Sequence, residues 1–127
     1  MNVICLENPT YHAARRERLE PFVIRALQSF PQVTLHLAHT LPEFEHALSS
    51  ETRAVFYHTD GHLAPRLYRK QAPSCLYVAY SSDMIFVLEA APRTVNGTYR
   101  EVLQSAGFDR LIGRGSQIRD ICQELFG

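Results

Sequence analysis

Short apolar runs alternate with segments of helical periodicity along this chain, and this alternation restricts the fold more than any other feature. The first run, NVICLE at residues 2–7, is continuous and contains β-branched residues, which is typical of a strand covered on both faces. Residues 11–29 carry apolar side chains at helical spacing, and Pro21 is expected to start a new segment or to kink that helix. Strands that alternate with helices predict βαβ units, and hence a three-layer α/β fold with a mostly parallel five-stranded sheet and helices on both faces.

The later segments continue the alternation, and several of their ends carry capping residues. Thr40 is predicted to be the N-cap of a helix with Pro42 in its first turn, Ser116 the N-cap of the last helix, and Gly107 a C-cap. Residues 82–92 are compatible with a helix and with an extra hairpin, because their dense apolar run follows a Ser-Ser-Asp turn. Further strands are predicted at 32–39, 54–59, 74–81 and 108–114, further helices at 40–50, 96–107 and 116–126, and a short helix or loop at 63–71.

Composition excludes several classes of function. The 13 basic side chains balance the 13 acidic ones, so the domain has no excess of positive charge to bind a phosphate backbone. We therefore expect no nucleic-acid partner. No run approaches the roughly twenty apolar residues of a membrane span, and the N-terminus lacks the features of a signal peptide. Cys5, Cys75 and Cys122 lie far apart among apolar residues, which predicts buried, reduced thiols in a cytoplasmic protein with one domain, residues 1–127.

The predicted strand ends carry the polar residues that matter for function, because parallel α/β sheets bind ligands at the carboxyl ends of their strands. The clearest example is AVFYHTDGH, residues 54–62, where an apolar run stops at a histidine, a threonine and an aspartate. The residues that follow the predicted strands are Glu7 and Asn8, His39 and Thr40, His58 to Asp60, Ser81 to Asp83, and Gly113 to Gly115.

In this order, the strand ends resemble those of a response-regulator receiver domain, a family with the flavodoxin-like fold. The segment ICLENP resembles the first strand of the family, with Glu7 as a surviving acid and Asn8 in place of a second one. His58 lies where the family carries its phosphorylated aspartate, and Ser81 lies at the position of the hydroxyl switch residue. The segment AGFDRLIGRG resembles the closing strand, with Arg114 in place of the family's lysine.

The resemblance implies a signalling domain, and its altered residues imply one without phosphoryl transfer. Receiver phosphorylation needs a carboxylate nucleophile, a magnesium ion held by further carboxylates, and a cation for the phosphoryl oxygens. His58 removes the carboxylate, and Asp60 follows two positions later on a predicted turn. We therefore predict a degenerate, pseudo-receiver domain that acts through protein contacts, with a protein partner or output domain, a possible homodimer, and no cofactor. Its predicted binding residues are Glu7, Asn8, His58, Asp60, Ser81 and Arg114.

Arg114 is predicted to complete this site. In a receiver-like fold, the end of the last strand brings this side chain over the cleft beside Glu7 and His58. A guanidinium there can pair with Glu7 and replace the charges that a metal ion and a phosphate would otherwise supply. Such a pair would hold the site in one state.

Three other interpretations of the same residues remain open. His58, Asp60 and His62 alternate, and together with His39 and Glu7 they are compatible with a transition-metal site and a metal-dependent hydrolase. A small-molecule sensor that uses the strand-end cleft is a further alternative. The segment IGRGSQ, residues 112–117, has the small residues of an anion-binding helix N-terminus as well as those of an ordinary helix cap.

Overall fold

The fold is described by a computed structural model that covers residues 1–6, 19–58, 64–80, 107–112 and 115–127. Five strands and three α-helices lie in these ranges, together with one short 3₁₀-helix. The elements are β1 (Asn2–Leu6), α1 (Leu19–Gln28), β2 (Thr34–Ala38), α2 (Leu41–Ala47), β3 (Thr52–His58), the 3₁₀-helix (Pro65–Tyr68), β4 (Leu76–Tyr80), β5 (Arg110–Ile112) and α3 (Gly115–Phe126).

The strands form one sheet in the order β2-β1-β3-β4-β5, and every neighbouring pair is parallel. This order, with the helices between the strands, is consistent with the flavodoxin-like class of doubly wound folds. The predicted α/β architecture is therefore confirmed. The segment 82–92, with its predicted extra hairpin or helix, lies outside the described residues, as does most of the predicted helix at 96–107.

One face of the sheet packs against α1 and α3. Residues of β1, β3 and β4 point to this side at every second position, as the pleat of a strand requires. Phe30, which follows α1, contacts Phe126 of α3 with their ring centroids 5.7 Å apart. The buried residues on this side are Val3, Cys5, Val23, Leu27, Ala54, Phe56, Val78, Tyr80, Ile112, Ile118, Ile121, Cys122, Leu125 and Phe126.

The opposite face packs against α2 and the segment around the 3₁₀-helix. Phe44 is the buried anchor of α2, and its ring meets the Tyr68 ring edge-on at 5.1 Å. The buried residues on this side are Ile4, Leu6, Ala38, Phe44, Val55, Tyr57, Ala72, Cys75, Tyr77, Ala79 and Phe108. Helices thus cover both faces, and the central strands are buried on both, as their continuous apolar runs predict.

One predicted helix N-cap is confirmed by the structure, and another is wrong. The Thr40 side chain accepts a hydrogen bond from the Glu43 backbone N–H at 3.2 Å, which confirms Thr40 as the N-cap of α2. Pro21 lies in the first described turn of α1, and the residues before Leu19, where a kink or a new segment would show, lie outside the described residues. The prediction for the last helix was wrong by a residue or more, because α3 already includes Gly115 and Ser116 therefore lies inside its first turn. Among the described residues, none of the helices has the length and apolar character needed to cross a membrane.

Arg69 links the short edge strand β5 to the rest of the sheet through hydrogen bonds. Its guanidinium donates to the Cys75 carbonyl at 2.8 Å, to the Gly107 carbonyl at 2.7 Å and to Asp109 Oδ2 at 2.8 Å. The same carboxylate oxygen accepts the Tyr77 backbone N–H at 2.8 Å, and the guanidinium lies 5.0 Å from the centroid of the Tyr77 ring. One side chain therefore connects the segment after the 3₁₀-helix to the starts of β4 and β5.

Gly107 allows this arrangement because of its backbone conformation. Its φ angle is +105°, which an L-residue with a side chain rarely adopts. A Cβ at this position would also lie 2.9 Å from the Arg66 backbone nitrogen, closer than real Cβ contacts. The predicted role of Gly107 as a C-cap stays a prediction, because residues 96–106 lie outside the described residues, but the close approach of two backbone segments also requires a glycine here.

We expect the Arg69→Ala substitution to destabilise the fold by about 2 to 3 kcal/mol, because two carbonyl groups and Asp109 lose a charged donor at a partly buried site. Arg110→Ala is the matched control. Arg110 pairs with Glu124 at 3.0 Å, but both side chains are about half exposed, so we expect a loss of at most about 0.5 kcal/mol. Urea unfolding of the two variants and the wild type measures both values. Equal losses of unfolding free energy in the two variants would contradict a special role of Arg69 in stabilising the fold.

Candidate functional site

The carboxyl ends of the five strands lie side by side along one edge of the sheet. Leu6, the last residue of β1, pairs with Ala38 of β2 and with Tyr57 of β3. His58 ends β3 and pairs with Tyr80, the last residue of β4, which in turn pairs with Ile112 at the end of β5. The residues that follow these ends in the sequence are those predicted to form the site.

His58 is the predicted site residue whose position the structure defines. It is the last residue of β3, and β3 is the central strand of the five. The sequence predicted this strand end from the point at which the apolar run stops. The other predicted members, Glu7, Asn8, Asp60, His62, Ser81 and Arg114, lie outside the described residues, so the Arg114–Glu7 pair stays a prediction.

His39 and Thr40 follow β2, and their backbone and side-chain groups serve the start of α2. Glu43 Oε2 accepts the His39 backbone N–H at 2.8 Å while the Glu43 N–H is bound by the Thr40 hydroxyl. This reciprocal arrangement resembles a capping box, which satisfies backbone donors at a helix start. His39 also lies two strands away from His58, a backbone separation of about 10 Å given the spacing of strands.

A metal site is the alternative that places the most demands on geometry. Within the ranges that the structure describes, no group of three or more His, Cys, Asp or Glu side chains is placed to hold a metal ion. This result does not test the predicted metal site of His58, Asp60 and His62, because Asp60 and His62 lie outside those ranges.

Buried side chains lie beneath the ends of the strands on both faces of the sheet. The Cys5 sulfur lies 3.4 Å from the Tyr80 hydroxyl, and both residues are fully buried. On the other face, the Tyr57 ring stacks on Phe108 with centroids 5.8 Å apart. Each tyrosine directly precedes a predicted site residue in the sequence, which is the signal that would have drawn attention to it. Buried, mostly apolar side chains therefore lie directly before the strand ends on both faces of the sheet.

Burial also determines the chemistry of the thiols. Burial raises the pKa of Cys75 to about 12 and that of Cys122 to about 11. The same cause raises the pKa of Tyr77, with the Cys75 thiol contributing as a second cause. Among the described residues the buried Tyr77 hydroxyl has no partner with hydrogen-bond geometry. Both thiols are protonated at neutral pH and are unsuited to nucleophilic catalysis.

Comparison with known protein families, curated proteins and solved structures finds no match to this chain. Function is therefore inferred from the sheet order, from the residues at the strand ends and from the surfaces of the described elements.

The raised thiol pKa values predict a loss of stability in alkali. A thiol whose pKa is higher in the folded state keeps its proton there, while the unfolded chain loses it above the ordinary value of about 9. The contribution of Cys122 to the free energy of unfolding is therefore present below pH 9 and is lost as the pH rises toward about 11. One proton corresponds to a slope of up to about 1.4 kcal/mol per pH unit.

Urea unfolding of the wild type and of Cys122→Ala at pH 8, 9, 10 and 11 tests this prediction. The substitution lowers stability at every pH through lost packing, but it should also make the alkaline slope shallower. Parallel curves for the two proteins would show that Cys122 is not a source of the slope.

Proposed function

We propose that this chain is a signalling or interaction domain of pseudo-receiver type, which acts through protein contacts and does not transfer phosphoryl groups. The observation that carries the proposal is the position of His58 at the end of the central strand in a sheet of order 2-1-3-4-5. The resemblance places the phosphorylated aspartate of a receiver domain at that strand end.

A histidine at that strand end changes the chemistry available there. An imidazole cannot form an acyl phosphate, and it offers a nitrogen ligand where magnesium prefers oxygen. A domain that has lost its phosphoryl acceptor but retains the fold can still present surfaces to a partner. We therefore infer that recognition, rather than chemistry at this edge, is the function.

A groove between β5 and α3 has the composition expected of a partner surface. It encloses about 190 Å³ and is open to solvent. Ile112 and Ile121 form a buried apolar floor, and charged side chains surround it, as at the core and rim of protein interfaces. The full lining is Arg110, Leu111, Ile112, Gln117, Asp120, Ile121 and Glu124.

Incubation with acetyl phosphate and magnesium, followed by intact mass measurement, tests the absence of phosphoryl transfer. We expect no phosphoryl adduct, while a functional receiver domain treated in parallel gains one. A stable adduct that disappears in the Asp60→Asn variant would overturn the proposal. Stoichiometric transition metal in the purified protein would favour the metal-dependent hydrolase instead.

Charge reversal in the groove tests the protein contact directly. We expect Asp120→Arg to lose the proteins that the wild-type domain captures from its native lysate, because Asp120 is exposed and lines the groove. Glu51→Arg is the matched control, since Glu51 is exposed in the turn before β3 and away from the groove. Identical captured proteins for the two variants would exclude this groove as the partner surface.

A further inference from the structure

Among the described residues, the outer edge of β2 is a sheet edge that no other strand pairs with, since β2 is the terminal strand of the sheet. The strand lacks the side chains that commonly oppose edge pairing, because TLHLA contains no lysine, no proline and no other permanent charge. Its pairing with β1 is regular from Thr34 to Ala38, so no bulge twists the edge away.

The hydrogen-bonding groups of this edge can be assigned from one contact. The Thr34 N–H donates to the Met1 carbonyl at 2.8 Å, so the backbone groups of Thr34 face β1. Successive residues of a strand direct these groups to alternate sides. Leu35 and Leu37 therefore direct their N–H and C=O groups outward. The side chains of His36 and Leu37 are exposed, and Leu37 retains 45% of its accessible surface.

The sequence of the strand is nearly symmetric about His36. We therefore expect the strand that pairs with this edge to be β2 of a second copy of the chain. In an antiparallel pair centred on His36, Leu35 lies opposite Leu37 of the second copy, and Thr34 lies opposite Ala38. This register pairs every outward-facing group and forms four backbone hydrogen bonds. A register shifted to centre on Leu35 or Leu37 keeps only two of them. The leucines meet as apolar cross-strand pairs, and no permanent charges of like sign face each other.

We propose that two copies of this protein associate through the outer edges of β2, antiparallel and with His36 on the two-fold axis. The five strands of each copy then form one continuous sheet. Because such an edge contact is small, we expect a dissociation constant in the micromolar range or weaker. The proposal is independent of the function proposed above and of the groove between β5 and α3.

Analytical ultracentrifugation over a broad concentration range provides the first test. We expect the wild-type mass to rise from 14.5 kDa toward the dimer value with concentration. Leu37→Lys should weaken association at least tenfold, because a lysine on an edge strand opposes pairing. Leu67→Lys is the matched control, since Leu67 is 72% exposed on the 3₁₀-helix, and it should associate like the wild type. A protein that stays monomeric at every concentration, or two variants with equal effects, would overturn the proposal.

Disulfide cross-linking tests the register. His36 and its counterpart form a non-hydrogen-bonded pair with Cα atoms about 4.5 Å apart, within the range of a disulfide. We expect His36→Cys to form covalent dimers on mild oxidation. Thr34 is exposed on the same strand, but in this register it lies four positions away from Thr34 of the second copy. Thr34→Cys should therefore not form covalent dimers. The native Cys5, Cys75 and Cys122 are buried, so they do not compete. Equal cross-linking of both variants would exclude the register centred on His36.

Discussion

The two-sided burial of the central strands is the constraint on which the rest of this structure depends. Neighbouring residues of β1 and of β4, such as Val3 with Ile4 and Tyr77 with Val78, point to opposite faces and are all fully buried. A sheet with this property is stable only when helices cover both of its faces. Parallel strands need crossover connections, and helices in those connections provide the cover. Each helix packs through an apolar side: α1 and α3 on one face of the sheet, α2 on the other.

Much of this fold could be predicted from the sequence because its determinants are local. Continuous apolar runs identified the strands, and Thr40 with Pro42 identified the start of α2. The anchoring by Arg69 could not be predicted, since its acceptors on Cys75, Gly107 and Asp109 are brought together only by the tertiary structure. In the sequence, Arg69 lies among other polar residues near a turn and has no distinguishing pattern.

In the candidate site, too, local features could be predicted from the sequence and tertiary ones could not. The position of His58 at a strand end follows from a local signal, the abrupt change from apolar to polar residues, and the structure agrees. The predicted convergence of Glu7, Ser81 and Arg114 with His58 is a tertiary property, which no periodicity encodes. The contact of Cys5 with Tyr80 illustrates the difficulty, because 75 residues separate two side chains that are in contact. Their apolar flanks identify both as core, but only the sheet order places them under the site.

The two edges of the sheet differ in how well they oppose pairing with another strand. β5 is only three residues long, and Arg110, its first residue, is charged and paired with Glu124 of α3. Short length and charge are both features that prevent sheet extension. β2 has five residues and no permanent charge. Three strands separate these edges, which places them about 19 Å apart across the sheet. The surface proposed for backbone pairing at β2 and the groove beside β5 therefore lie at opposite edges of the sheet.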